Sequence, residues 1–381
     1  MQPPLSLYIH FPWCVRKCPY CDFNSHKAGD SAPRDRYVAA LAADIRAEGD
    51  RSTGRQITTI FLGGGTPSLF TPEEIAQVLK SAKHHLDISP ECEITMEANP
   101  GTLEHGSLAA YRNAGVTRLS LGAQSFDANM LKVLGRIHSP DDIRSAYYEA
   151  LAAGFASINI DLMFALPGQD LAGALIDVTE LVDLAPPHIS YYQLTLEPNT
   201  VFHKRPPAGI PDDELAWTIQ ERCHELLQTA CYEKYEISAF ARDEHRCRHN
   251  LNYWTFGDYL AVGAGAHGKL TDTAGIVWRY RKAANPLTYI EEAENNHWKD
   301  AATRIKADEF GFEFMLNALR LTDGFSEADF CDRTGLGTGA ILEPIRRAQV
   351  DGLIEQSVAG RWRPTATGFR FLNDLQACFL P

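Results

Sequence analysis

Leu5-Ser6-Leu7-Tyr8-Ile9-His10-Phe11-Pro12-Trp13-Cys14-Val15-Arg16-Lys17-Cys18-Pro19-Tyr20-Cys21 lies near the start of a 381-residue chain. An apolar run ends in proline, and a loop holding three closely spaced cysteines follows at once. Leu5–Phe11 reads as a buried strand. Similar runs recur at Thr58–Leu62, Cys92–Ala98, Arg118–Gln124, Ser157–Phe164 and His188–Thr195. Successive strands start roughly 30 residues apart, the length of a βαβ unit. The segments between them carry helix signals. Thr71-Pro72-Glu73-Glu74 is a capping box with proline at the first helical position. Ser139-Pro140-Asp141-Asp142 opens another helix that Gly154 can close, and Gly115 closes one that begins after Thr102. Strand–helix alternation argues for a parallel sheet, and right-handed crossovers curl it toward a barrel.

The repeat stops at Lys204–Pro211. Asp212–Ala230 then reads as a helix, and Glu233–Ala241 and Tyr259–Leu270 as further strands or irregular structure. Amphipathic helices follow around Lys306–Leu321, Ser326–Thr334 and Ile341–Asp351. A hairpin, Leu353–Ser357 and Arg361–Pro364 about a turn at Ala359-Gly360, precedes a last helix from Thr367. The expected fold is α/β: an open partial (β/α)6 barrel of parallel strands with a C-terminal winged-helix-like α+β domain. The expected division is residues 1–245, a connecting region 246–304 and the winged-helix-like part 305–381.

Hydrophobic residues make up 45% and charged residues 22%, which excludes disorder throughout. No run approaches the ~20 apolar residues of a membrane span, and Leu5–Phe11 is too short for a signal-peptide core. With 36 basic and 49 acidic residues the net charge is −13, which disfavours binding to nucleic acid. The winged-helix-like part has eight basic and eleven acidic residues, so a packing or docking role is expected rather than DNA binding. Nine unevenly spaced cysteines argue against a secreted disulfide framework and for a reducing, cytoplasmic setting.

Cys14, Cys18 and Cys21 would share one face of a helix, but Pro19 breaks any such helix. Arg16 and Lys17 are expected to lower the thiol pKa values. No fourth Cys or His stands at the spacing a structural zinc site needs. Three thiolates suit a [4Fe–4S] cluster with one iron left open. Gly63-Gly64-Gly65-Thr66 ends the second strand; no Gly-Lys-Ser/Thr follows, which excludes a Walker A loop. Its glycines permit close backbone approach, with N–H groups turned toward a charged ligand.

C-x3-C-x2-C after the first strand and Gly63-Gly64-Gly65-Thr66-Pro67-Ser68 after the second resemble the radical S-adenosylmethionine (SAM) superfamily. More narrowly, the chain resembles the oxygen-independent coproporphyrinogen III oxidase family and its heme-chaperone branch, HemW. The likeness runs through Tyr8–Cys14, Glu93–Pro100, Arg118–Phe126 and Asn159–Met163. It implies a cluster on Cys14, Cys18 and Cys21, with SAM contacts from Tyr8, Gly64, Gly65, Thr66 and Glu97. Tyr20, within the cysteine motif, joins the cofactor-binding set. Gln124, Arg136 and Asp161 match positions that handle a second SAM in the oxidase; an Arg136–Asp161 ion pair is the structural alternative.

Two features separate the branches. The oxidase has a further cysteine two residues past the third, where this chain has Phe23, and an extension before its first strand. His249-Asn250-Leu251-Asn252-Tyr253-Trp254 resembles the H-N-x-x-Y-W motif associated with heme in the chaperone branch. Imidazole can ligate heme iron, and the two aromatic residues offer flat apolar surface. The resemblance thus implies a heme chaperone that holds a [4Fe–4S] cluster, SAM and heme, the last on His249. Heme would pass to an acceptor protein, with a membrane respiratory enzyme as one candidate and a homodimer as a candidate assembly. The alternative is a radical SAM coproporphyrinogen III dehydrogenase that oxidatively decarboxylates propionates.

Overall fold

A computed structural model describes residues 2–29, 32–101, 106–242 and 244–381. Six parallel strands form its centre: β1 (Leu5–Phe11), β2 (Gln56–Gly64), β3 (Asp87–Ala98), β4 (Arg118–Gln124), β5 (Ser157–Phe164) and β6 (His188–Gln193). They lie side by side in chain order. β1, β4 and β5 are buried on both faces almost throughout, as crossover helices on a parallel sheet require. The expected caps form. Thr71 and Glu74 make a reciprocal capping box, and so do Ser139 and Asp142. Gly115 ends the helix Leu108–Ala114 at φ 115°. That helix starts from Ser107, and Thr102 lies outside the described residues.

The sheet goes further than the six-strand reading. A seventh parallel strand, β7 (Asp258–Val262), pairs with β1 on the side opposite β2. Antiparallel strands His267–Thr271, Val277–Arg281 and Ala301–Arg304 extend that edge, so residues 258–304 sit within the sheet. At the far edge Ala239–Ala241 and Glu233–Glu236 continue from β6. Among the described residues the two outer strands are not paired to each other, and the barrel stays open.

Buried charge seats β7. Asp258 is fully buried and pairs with Arg55 and Lys269, each at 2.9 Å. Beyond the other end of the strand, Asp44 accepts from the Gly263 N–H at 3.2 Å and the Tyr289 hydroxyl at 2.8 Å. Lys282, only 3% exposed, joins Asp44 (2.8 Å), Glu48 (2.7 Å) and Asp300 (3.2 Å). The helix Arg34–Arg51, the end of β7 and the segment after Val277–Arg281 thereby meet at one charge cluster.

The C-terminal elements follow the expected order. Helices Phe310–Ala318, Glu327–Thr334 and Gly339–Val350 precede the hairpin Ile354–Gln356 and Trp362–Pro364. Phe314, Phe325, Phe330, Ile345 and Leu375 form a separate apolar cluster that also takes in Phe256 and Val277. Among the described residues, no helix is long and apolar enough to cross a membrane.

Replacing Lys282 with Met leaves the buried Asp44 without its cation, while Glu48 and Asp300 keep Arg51 at 3.0 and 2.7 Å. Breaking a buried pair from one side costs about 3–5 kcal/mol. Urea unfolding of Lys282→Met is expected to show a loss of that order; a loss below about 1 kcal/mol would contradict the role given to the cluster.

Candidate cofactor cavity

Side chains alternate across a strand, so every second residue of each central strand faces the barrel interior. Near the C-terminal ends these are Glu97 on β3, Ser120, Gly122 and Gln124 on β4, Asp161 on β5, and Ser190 and Tyr192 on β6. They line one cavity of about 310 Å³ together with Cys14, Cys18, Tyr20, Cys21, Gly64, Gly65, Thr66 and Arg136. Ligand sites in open parallel sheets lie at this end of the strands.

The cysteine loop is folded back by backbone bonds. His26 N–H donates to Pro12 O at 2.7 Å and Ala28 N–H to Cys14 O at 2.8 Å. Lys17 Nζ donates to the carbonyls of Phe23 (3.0 Å) and Ser25 (3.1 Å), closing the loop's far side. The expected lowering of the thiol pKa values is not found at Cys14 and Cys21: burial pushes both up. Hydroxyls of Thr66 and Ser25 pull Cys14 partly back, and Ser25 is the main counterweight at Cys21, with Lys17 a smaller one. All nine cysteines are free thiols. Among the described residues, no three His, Cys, Asp or Glu side chains gather tightly enough for a single metal ion. The three loop thiols line the cavity wall instead.

The glycine loop also departs from expectation. Its amides do not turn toward the cavity as a set: Gly65 N–H donates to Phe11 O at 2.6 Å and Thr66 N–H to Trp13 O at 2.8 Å. Gly64 N–H donates to the Glu97 carboxylate at 3.0 Å. What the glycines supply is proximity. A Cβ at Gly65 would stand 2.7 Å from Trp13 O, and one at Gly64, where φ is 111°, would collide with the His10 ring.

Glu97 and Asp161 are two half-buried carboxylates facing the cavity, and among the described residues no cation is bonded to either. Burial, then the neighbouring Asp161, raises the Glu97 pKa to about 7, with the Gly64 N–H opposing. Burial also raises Asp161, against hydrogen bonds from Asn159 Nδ2 (2.7 Å) and Ser120 Oγ (3.2 Å). The alternative Arg136–Asp161 ion pair is not made. Arg136 donates to Gly122 O (2.6 Å), Asn99 Oδ1 (3.0 Å) and Cys18 Sγ (3.6 Å), and its buried Nε has no partner among the described residues. Gln124 holds a left-handed backbone at φ 76° and accepts from the Tyr192 hydroxyl at 2.7 Å. Strained non-glycine backbone of this kind persists only where its surroundings hold it.

Two expected site residues lie outside this cavity. Tyr8 bonds His10 Nδ1 at 3.1 Å, and its ring centroid is 6.2 Å from that of Phe61. Phe61 in turn is 5.1 Å from the ring of His249, which is 1% exposed. Burial lowers the His249 pKa to about 3, so the imidazole is neutral. Thr59 donates its hydroxyl to Ser6, so the 2.8 Å bond to Thr59 places the hydrogen on His249 Nδ1. Nε2 is then the acceptor for the Tyr253 hydroxyl at 2.9 Å. Of the other two motif aromatics, Tyr253 packs edge-on against His249, and Trp254 takes the Arg320 guanidinium over its ring at 4.2 Å.

The radical SAM superfamily pattern matches residues 8–175, and that of the HemN C-terminal domain matches residues 305–371. Over 99% of its length the chain is 46% identical to the heme chaperone HemW of Haemophilus influenzae, covering 98% of that protein. Identity to the Escherichia coli heme chaperone HemW is 44%, with the same coverage. The chain belongs to the HemW family. Its fold is that of the Escherichia coli coproporphyrinogen III oxidase HemN, a radical SAM enzyme: TM-score 0.83 over 99% of this chain and 90% of that one, at 20% identity.

Within a HemW-family chain, the cavity residues that sequence reading missed include Asn99, Ser120, Gly122, Ser190 and Tyr192. Their signal was period two: Ser120, Gly122 and Gln124 alternate along β4, and Ser190 and Tyr192 along β6. Phe23, at the position of the oxidase's further cysteine, borders the cavity and is 56% exposed.

The raised Glu97 pKa has a measurable consequence in cofactor-free protein. Between the ordinary carboxylate value of 4.5 and about 7 the native state holds the extra proton, so stability falls as pH rises through that window. The loss is of the order of 3 kcal/mol. Thermal unfolding of wild type is expected to weaken relative to Glu97→Gln from pH 5 to pH 7.5. Parallel profiles for the two proteins would contradict the assignment.

Proposed function

We propose that this chain is a heme chaperone: it binds heme, a [4Fe–4S] cluster and SAM, and hands heme to an acceptor protein. The observation that carries the reading is identity of 44–46% to two heme chaperones over nearly the whole of each protein. Phe23 supports it, since the cysteine that marks the oxidase branch is not there.

Cys14, Cys18 and Cys21 are the ligands this chain offers a cluster, and their loop is tied down by backbone bonds on both sides. A cluster with an open iron supplies, when bound, a Lewis-acidic and one-electron-active centre. The cavity fits SAM by charge. Glu97 and Asp161 form an anionic wall that a sulfonium or ammonium group would relieve, and Arg136 Nε–H is a buried donor in want of an acceptor such as a carboxylate. Gly64, Gly65 and Thr66 let the backbone come close, Tyr20 and Gln124 complete the wall, and Tyr8 supports it from behind through His10.

Heme on His249 asks more of the protein. The Nε2 lone pair that would bind iron is taken up by Tyr253, so that bond must open and the helix Arg248–Trp254 must shift for heme to enter. His249 would then be presented by a helix whose Tyr253 and Trp254 move with it. Residues 1–245 would hold the cofactors, 246–304 the heme-binding helix, and 305–381 would dock a partner. We place the protein in the cytoplasm, with a homodimer as the candidate assembly and a membrane respiratory enzyme as a candidate acceptor.

The test is a heme titration of the anaerobically reconstituted chain, followed by its Soret band, with coproporphyrinogen III and SAM supplied in parallel. Wild type is expected to bind heme stoichiometrically and form no decarboxylated product, and His249→Ala to lose at least ten-fold in affinity. Full heme affinity in His249→Ala would overturn the ligand assignment. Formation of protoporphyrinogen with little heme affinity would make the protein an oxidative decarboxylase.

A further inference from the structure

A line of buried hydrogen bonds runs from the cavity to the N-terminal end of the helix Arg248–Trp254. Asp161 Oδ1 is 2.7 Å from Asn159 Nδ2, and Asn159 Oδ1 is 2.6 Å from His188 Nδ1. His188 Nε2 is 2.7 Å from the Tyr235 hydroxyl, which is 3.2 Å from the N–H of Cys247, the residue at the N-cap position of the helix. Asn159, His188, Tyr235 and Cys247 are each at most 2% exposed. β5 and β6 thus give up apolar packing inside the barrel to maintain this line, and buried polar groups are retained at that cost only when each is satisfied.

The chemistry fixes its direction. An ionised Asp161 only accepts, so the Asn159 atom facing it is the amide nitrogen and the one facing His188 is the oxygen. His188 Nδ1 must then donate. Burial keeps the His188 ring neutral, so Nε2 accepts from the Tyr235 O–H. The Tyr235 oxygen is left to accept from Cys247 N–H. Every donor along the line points toward Asp161, and dipoles aligned in this way reinforce one another. Asn159 Nδ2 also reaches Ser120 Oγ at 2.8 Å, and Ser120 Oγ donates to the second Asp161 oxygen. At the other end, Glu93 Oε1 accepts from His249 N–H at 3.2 Å, fixing the same first turn.

We infer that Asn159, His188 and Tyr235 are positioning residues: they aim the Asp161 carboxylate into the cavity and tie it to the N-terminal end of the helix that carries His249. Filling the cavity with a cationic ligand and moving that helix are then linked, and by reciprocity each changes the free energy of the other. The inference rests on the reading of the cavity as a SAM site.

The experiment uses the full chain with its cluster reconstituted anaerobically. SAM is titrated calorimetrically, and amide hydrogen exchange of residues 247–254 is measured with and without it. In wild type SAM is expected to slow exchange of this segment several-fold. Tyr235→Phe keeps the ring but loses the hydroxyl; it is expected to bind SAM up to ten-fold more weakly and to show no slowing at saturating SAM. His188→Gln, which retains a donor and an acceptor, is expected to restore part of the slowing that His188→Leu abolishes. Equal slowing in wild type and Tyr235→Phe, or none in a wild type that binds SAM, would overturn the inference. A wild type that binds no SAM would overturn the cavity reading, and the inference with it.

Discussion

Two carboxylates, Glu97 and Asp161, sit at the ends of neighbouring-but-one strands, and among the described residues no cation is bonded to either. Burying one such group is expensive, and burying two that repel each other is more so. The protein tolerates them because each is held by hydrogen bonds from the chain, Glu97 by Gly64 N–H and Asp161 by Asn159 and Ser120. That arrangement is an unfinished electrostatic site. The surrounding geometry serves to keep it open: Arg136 is drawn off by Gly122, Asn99 and Cys18, so it cannot neutralise the pair.

The strands place these groups, and the helices and charge clusters hold the strands. β1 is the hinge of the design, since it carries the cysteine loop at its end, pairs with β2 on one side and with β7 on the other. Asp258 with Arg55 and Lys269, and Lys282 with Asp44 and Glu48, anchor β7 against the N-terminal helix. The cavity and the His249 helix lie at opposite ends of one interior, with Phe61 packed against His249 on one path and His188 hydrogen-bonded along another.

Much of the fold was legible because parallel strands buried on both faces give unbroken β-branched runs, and because Thr71, Ser139 and Gly115 mark helix ends by local chemistry alone. β7 was harder to read. Its run starts with a charged residue, Asp258, whose burial makes sense only with Arg55 and Lys269 brought from elsewhere. The cysteine trio announced itself through Pro19 and spacing, whereas Ser120, Ser190 and Tyr192 become cavity residues only once strand register is known. The glycine loop misled in one respect: composition shows that the backbone can come close, but not that Phe11 and Trp13 already occupy its amides. His249 is the sharpest case. Its motif was visible, but its burial and its bond to Tyr253 depend on helix packing that no local pattern encodes.

In the reading proposed above, the cavity is built for a cation beside an open cluster iron. Calorimetric titration of the reconstituted protein with SAM and with its uncharged thioether counterpart, S-adenosylhomocysteine, tests this most directly. The two differ by one methyl group and by the sulfonium charge that the Glu97–Asp161 wall would meet. SAM is expected to bind at least ten-fold more tightly, and the gap to narrow in Glu97→Gln. Equal affinity for the two in wild type would contradict that reading.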